Sequence, residues 1–169
     1  MTLVAENPKA DLGDGLFNPA TGRIEAYSDE YLTPRYVAVG DAVKGDLAFL
    51  TAQNKGGFIV TSRTDADDRW LVSFDPVDAP PSVWVYDRKA KALKQLYTAR
   101  PELIGAPLVR MWPQEIKARD GLTMVSYLTL PKGADANCDG KPDKPVPMVL
   151  FVHGGPGSPM MPERWTFQR

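Results

Sequence analysis

The sequence predicts a mainly β chain, and three observations carry that reading. Short alternating apolar segments recur from residue 12 to residue 130, each bounded by Gly, Pro, Asn or Asp. The 14 glycines and 16 prolines are spread along all 169 residues as turn punctuation. Only one stretch, residues 41–53, spaces its apolar residues as a helix does, with Val43, Leu47 and Leu50 four and three apart. Asp41 is placed to cap it.

In chain order, Gly15-Leu16-Phe17 enters the turn Asn18-Pro19-Ala20-Thr21-Gly22, and Arg23 to Tyr27 returns. Four strands follow the helix in close succession: Phe58–Arg63, Arg69–Phe74, Ser82–Asp87 and Leu93–Tyr97. Their connections, Asp65 to Asp68, Asp78 to Pro81 and Lys89 to Ala92, are turn chemistry. The acidic cluster Asp65, Asp67 and Asp68 is most simply one of those turns. Four antiparallel strands in about 40 residues is the size of one β-propeller blade. Trp70, Phe74, Trp84 and Tyr86 alternate along adjacent strands, which predicts packing of that blade on a neighbour.

Arg100 to Pro113 is rich in proline and reads as a connection. Gln114–Ala118 and Leu122–Leu128 flank Arg119-Asp120-Gly121, a hairpin signal. A polar loop, residues 131–147, then feeds Met148-Val149-Leu150-Phe151-Val152. Five apolar residues in a row predict a strand buried on both faces. It runs into His153-Gly154-Gly155-Pro156, where glycines allow a sharp turn and close approach of backbone to a ligand. A buried strand ending in such a turn is how α/β-hydrolases supply one half of an oxyanion hole.

Two stretches resemble the prolyl oligopeptidase family of serine peptidases, in its acylaminoacyl-peptidase-like branch. One is Ile116-Lys117-Ala118-Arg119-Asp120-Gly121-Leu122 continuing to Tyr127-Leu128-Thr129-Leu130-Pro131; the other is Pro147 to Pro156. The resemblance implies a β-propeller followed by an α/β-hydrolase domain. It divides the chain into 1–105, the end of a propeller; 106–113, a connection; and 114–169, the start of the peptidase domain. It also implies that His153, Gly154 and Gly155 border the oxyanion site, with the backbone as the safer donor. The parent enzyme is expected to hydrolyse peptide bonds in short peptides through an acyl-enzyme.

The triad itself is expected elsewhere. None of the six serines (Ser28, Ser62, Ser73, Ser82, Ser126, Ser158) has glycine two places away on both sides, and His153 is the only histidine. The chain therefore reads as a fragment that is inactive alone. Its sheets are expected to expose apolar surface and to need the rest of the polypeptide or self-association. Two alternatives share some of these features. A carboxylesterase has a similar His-Gly-Gly turn, and a β-rich binding module could stand without a hydrolase half.

Composition narrows the partners. A net charge of −1, with Lys and Arg scattered, gives no reason to invoke nucleic acid. No apolar run approaches the roughly 20 residues that span a bilayer, so no membrane is implied. No signal peptide is visible in residues 1–14, and the compartment stays open with the cytoplasm favoured. One cysteine, Cys138, cannot build a thiolate metal site. Asp135-Ala136-Asn137-Cys138-Asp139-Gly140 matches the opening of a calcium loop, but the twelfth position is Val146 where a bidentate Glu is needed. A solvated turn is the favoured reading, and neither metal nor organic cofactor is implied.

Overall fold

The computed structural model describes residues 3–152 apart from residue 30. Nine strands and one α-helix are found among the described residues, in three antiparallel sheets. The first sheet is β1 (Leu12–Phe17), β2 (Ile24–Asp29) and β3 (Arg35–Ala38). Helix α1 (Lys44–Thr51) follows. The second sheet is a meander in strict chain order: β4 (Gly57–Arg63), β5 (Arg69–Asp75), β6 (Ser82–Asp87) and β7 (Ala92–Thr98). A single 3-10 turn at Pro101–Leu103 leads to a hairpin of β8 (Met111–Lys117) and β9 (Thr123–Thr129).

The expected turns form where their chemistry placed them. Asn18 accepts the backbone N–H groups of Ala20 and Thr21 through its side-chain oxygen, 3.1 and 2.9 Å away. At the β8–β9 turn, Leu122 N–H donates to the Asp120 carboxylate at 3.1 Å, and Ala118 N–H donates to Leu122 O at 2.9 Å. Residues 114–118 and 122–128 were expected to be strands; β8 begins earlier, at Met111, inside the proline-rich stretch read as a connection.

The meander register puts Phe58 opposite Phe74, Val60 opposite Val72, Trp70 opposite Tyr86 and Val72 opposite Trp84. These side chains share one face because alternate residues of a strand point the same way. Trp70, Val72, Phe74 and Tyr86 are buried there. Leu16 and Ala26 of the first sheet and Val43, Leu47 and Leu50 of the helical segment complete the same core. Phe58 meets Tyr36 of β3 at 5.5 Å between ring centroids, and Phe49 of α1 stacks on Tyr86 at 5.3 Å. The aromatic face thus packs on a neighbouring sheet, as its alternation predicted. Each fully buried large side chain contributes about 1.5–3 kcal/mol, so this face is what joins the two sheets.

Two sequence expectations are corrected, and one strand is added to them. The helix caps on Val43 without a side-chain hydrogen bond, so Asp41 is not its N-cap. Val43 is fully buried, and anchoring that apolar side chain fixes the first turn in place of a carboxylate cap. Strand β3 was not foreseen; it is four residues long and begins right after Pro34. Met148–Val152 forms no strand and is 64–91% exposed. An extended segment becomes a buried strand only when neighbours pair its N–H and C=O groups, and no described strand lies beside it.

Candidate functional site

The residues expected to line an oxyanion site, His153, Gly154 and Gly155, lie outside the described residues. What the structure shows is the approach to them. The 131–147 loop packs back on the hairpin through Gly140, whose Cα sits against the Trp112 indole so closely that a Cβ would lie 3.0 Å from Trp112 Cδ2. Arg110 covers the same indole, its guanidinium 4.6 Å from the ring centroid. Asp135 staples the loop: its two oxygens accept the N–H groups of Asp139 and Gly140 at 3.0 and 2.9 Å. Its carboxylate thus serves the turn, and among the described residues no group of three His, Cys, Asp or Glu side chains could hold a metal.

Beyond the loop, Met148 to Val152 presents five consecutive apolar side chains to solvent. Bare apolar runs of this kind mark surfaces made to be covered. The segment that leads to His153 therefore lacks its packing partners among the described residues.

The strongest concentration of charge lies elsewhere, at the junction of the first sheet, α1 and the meander. Asp46, in the first turn of α1, accepts hydrogen bonds from Tyr86 Oη at 2.7 Å and from Arg88 Nε and Nη2 at 3.1 and 2.8 Å; Lys91 also donates to it. Arg88 bonds in addition to the Asp67 carboxylate, to Asp67 O at 2.9 Å and to Ala42 O at 3.0 Å, so all five of its N–H donors are used. Asp67 binds Arg63 Nε at 2.6 Å and Trp70 Nε1 at 2.7 Å, and Arg63 continues to Glu25 at 2.7 Å and Phe17 O at 2.8 Å. The two guanidinium groups stand 4.9 and 4.8 Å from the Trp70 ring centroid.

Three cations, Arg63, Arg88 and Lys91, face three carboxylates, Glu25, Asp46 and Asp67, so the group is charge-balanced. Burial pushes the Asp46 carboxyl up, but the hydrogen bonds from Arg88, Lys91 and Tyr86 outweigh it and hold it below the usual range. Burial, then the Asp46 carboxylate, push the Tyr86 hydroxyl well above its ordinary value. For Arg63, burial pulls down, while hydrogen bonds to Asp67 and Glu25 win and raise it. Every carboxylate here is committed to donors, so the group braces the fold and has no base free for proton transfer.

Sequence reasoning missed this brace. Asp67 looked like an ordinary turn residue, and its left-handed φ of 52° is what carries it from the β4–β5 turn to Arg88. The only local signal was the Arg63/Asp67 spacing of four. Among the described serines, Ser82 Oγ receives Trp84 Nε1 at 2.8 Å, and Ser28 is buried with no hydrogen-bond partner for its Oγ. The one histidine of the sequence, His153, lies outside the described residues.

No protein-family profile matches the chain. No solved structure matches it. Dipeptidyl aminopeptidase BIII of Pseudoxanthomonas mexicana is 50% identical over 155 residues, which is 92% of this chain and 22% of that protein. The chain is similar to a dipeptidyl aminopeptidase. Dipeptidyl peptidase family member 6 of Caenorhabditis elegans is 27% identical over 163 residues, 88% of this chain and 22% of its own length. The chain thus spans about a fifth of the length of the curated relatives it matches. Both relatives carry dipeptidyl names, not acylaminoacyl ones.

Proposed function

We propose that this chain is part of a serine-type dipeptidyl peptidase of the prolyl oligopeptidase family, a hydrolase releasing dipeptides from peptide N-termini. The observation that carries the reading is the 50% identity to dipeptidyl aminopeptidase BIII across 92% of the chain. The order of features supports it: a blade-sized meander, a proline-rich passage, a hairpin, then an apolar run into His-Gly-Gly-Pro. In this reading residues 1–105 close a propeller that restricts access to short peptides, 106–113 connect, and 114–169 open the hydrolase domain.

The chemistry follows acyl transfer. A serine outside these 169 residues attacks the scissile carbonyl, with histidine as base and aspartate as its orienter. The backbone at His153, Gly154 and Gly155 then stabilises the oxyanion as negative charge develops there. The 169-residue chain alone is inactive, because it supplies an oxyanion turn without a nucleophile. Short peptides are the expected partners; neither nucleic acid, membrane nor cofactor takes part.

The test is labelling by a fluorophosphonate probe, together with release of a chromophore from a dipeptidyl amide. Both are run on the full-length protein and on residues 1–169. Labelling and release by the full-length protein alone is the expected result. Release from an N-blocked dipeptide as fast as from the free amine would refute dipeptidyl specificity. Ester hydrolysis without amide hydrolysis would favour the carboxylesterase alternative.

A further inference from the structure

The β2–β3 connection contains the strained backbone that the brace and the hairpin leave unexplained. Leu32 has a φ of +62°, a left-handed conformation that a branched side chain rarely adopts. Thr33 N–H donates to Tyr31 O at 2.7 Å, which closes a three-residue γ-turn centred on Leu32. A γ-turn of this hand is rare and strained. Such a conformation persists where surrounding structure over-determines it. Pro34, next in the chain, has no N–H to help hold the turn.

What holds the turn comes from the third sheet, far along the sequence. Tyr127 Oη of β9 donates to Leu32 O at 2.8 Å. Tyr31 Oη donates to the Glu115 carboxylate of β8. Lys9 closes the second contact from behind, with Nζ 3.6 Å from Glu115 and 4.8 Å from the centroid of the Tyr31 ring. The hairpin register pairs Pro113 with Tyr127 and Glu115 with Val125, so Glu115 and Tyr127 are diagonal neighbours on one face. Two phenol hydroxyls therefore cross in opposite directions between the same two segments, one from the turn to the hairpin and one from the hairpin to the turn.

We infer that the Tyr31–Thr33 γ-turn and the Glu115/Tyr127 face of the β8–β9 hairpin form a two-point clasp that fixes the hairpin against the first sheet. Tyr127 and Tyr31 are its positioning residues, and neither is a catalytic residue. The strained Leu32 carbonyl is the half of the clasp that cannot stay in place without its partner. In the peptidase reading, on which this one consequence rests, the clasp sets how the hydrolase segment sits on the propeller and hence where residues 148–152 are delivered.

The experiment is hydrogen exchange by mass spectrometry on the full-length protein, which needs no substrate and so stands apart from the peptidase reading. Tyr127→Phe keeps the ring and removes the part-buried hydrogen bond to Leu32 O; exchange in peptides covering 31–38 and 111–129 rises about three- to tenfold. Tyr31→Phe, at the more exposed contact, gives a smaller rise at the same two places. Peptides within 57–98 do not change in either variant. Unchanged exchange at both segments in Tyr127→Phe overturns the clasp, and so does an equal rise in 57–98, which would mean general loosening. In a Leu32→Gly background the turn is unstrained, and the Tyr127→Phe rise at 31–38 shrinks. An undiminished rise there would refute the link to strain.

Discussion

Asp46→Ala is the most demanding test of how helix α1 is held on the meander. The Asp46 carboxylate is 5% exposed and receives Tyr86, Arg88 and Lys91. Removing it orphans the fully buried Tyr86 hydroxyl, at about 1–3 kcal/mol, and ends the charged hydrogen bonds from Arg88, at about 1.5–3 kcal/mol. Lys91, 44% exposed, turns to water at little cost. Arg88 keeps Asp67 and two carbonyls, which caps the loss. The total is about 3–5 kcal/mol, in the range for taking one partner from a buried ion pair. Exchange of amides in residues 43–53 should then accelerate by roughly two to three and a half orders of magnitude, at about 1.4 kcal/mol per tenfold. A change below about tenfold would refute the reasoning. The pH dependence has a definite sign. Because the folded Asp46 pKa is lowered, its contribution is present above the usual value of 3.8 and is lost as pH falls through the lowered folded value. Wild-type protection of 43–53, corrected for intrinsic exchange, stays level at neutral pH and drops in this acid window; Asp46→Ala shows a shallower drop.

Three further outcomes follow from the same geometry. Gly140→Ala forces a Cβ to 3.0 Å from Trp112 and places a side chain at φ +79°; the 131–147 loop should lift from the hairpin, read as faster proteolysis within it. Gly56→Ala meets the Pro76 Cα at 2.5 Å with φ +86° and cannot relax because the obstacle is backbone; soluble yield and the melting temperature should both fall. In the full-length protein His153→Ala should lower kcat by less than about tenfold, against roughly 10²–10³ for a lost oxyanion donor, because the backbone is the donor proposed; a larger loss in steady-state kinetics would assign the side chain a direct role.

Much of the fold was legible because its information is local. Alternation in β4 to β7 and the turn residues between them fix strand order and facing, and the buried Trp70, Phe74 and Tyr86 are where period two puts them. The helix was legible through Val43, Leu47 and Leu50, but its cap was not, since anchoring by tertiary burial overrode a plausible Asp41. The brace was illegible because Glu25, Asp46, Asp67 and Arg88 meet only after two sheets and a helix have packed. Met148 to Val152 reads as a strand because the pattern encodes burial, yet pairing depends on partners that the pattern cannot supply. The His153, Gly154 and Gly155 motif is readable as chemistry by its residue types alone.

The strand order of the meander has a consequence for how the chain is made. Each strand pairs with the one just synthesised, so no strand waits for a distant partner. Loop closure between neighbours is entropically cheap, and contacts this local favour rapid folding. All three strand pairings of the meander lie within residues up to Thr98, and Lys91, which pairs with Asp46, lies within the same stretch. The later apolar run, residues 148–152, follows a sheet whose inner strands β5 and β6 are already paired on both sides. That order of synthesis keeps an exposed apolar segment from competing for the inner strands while the meander forms.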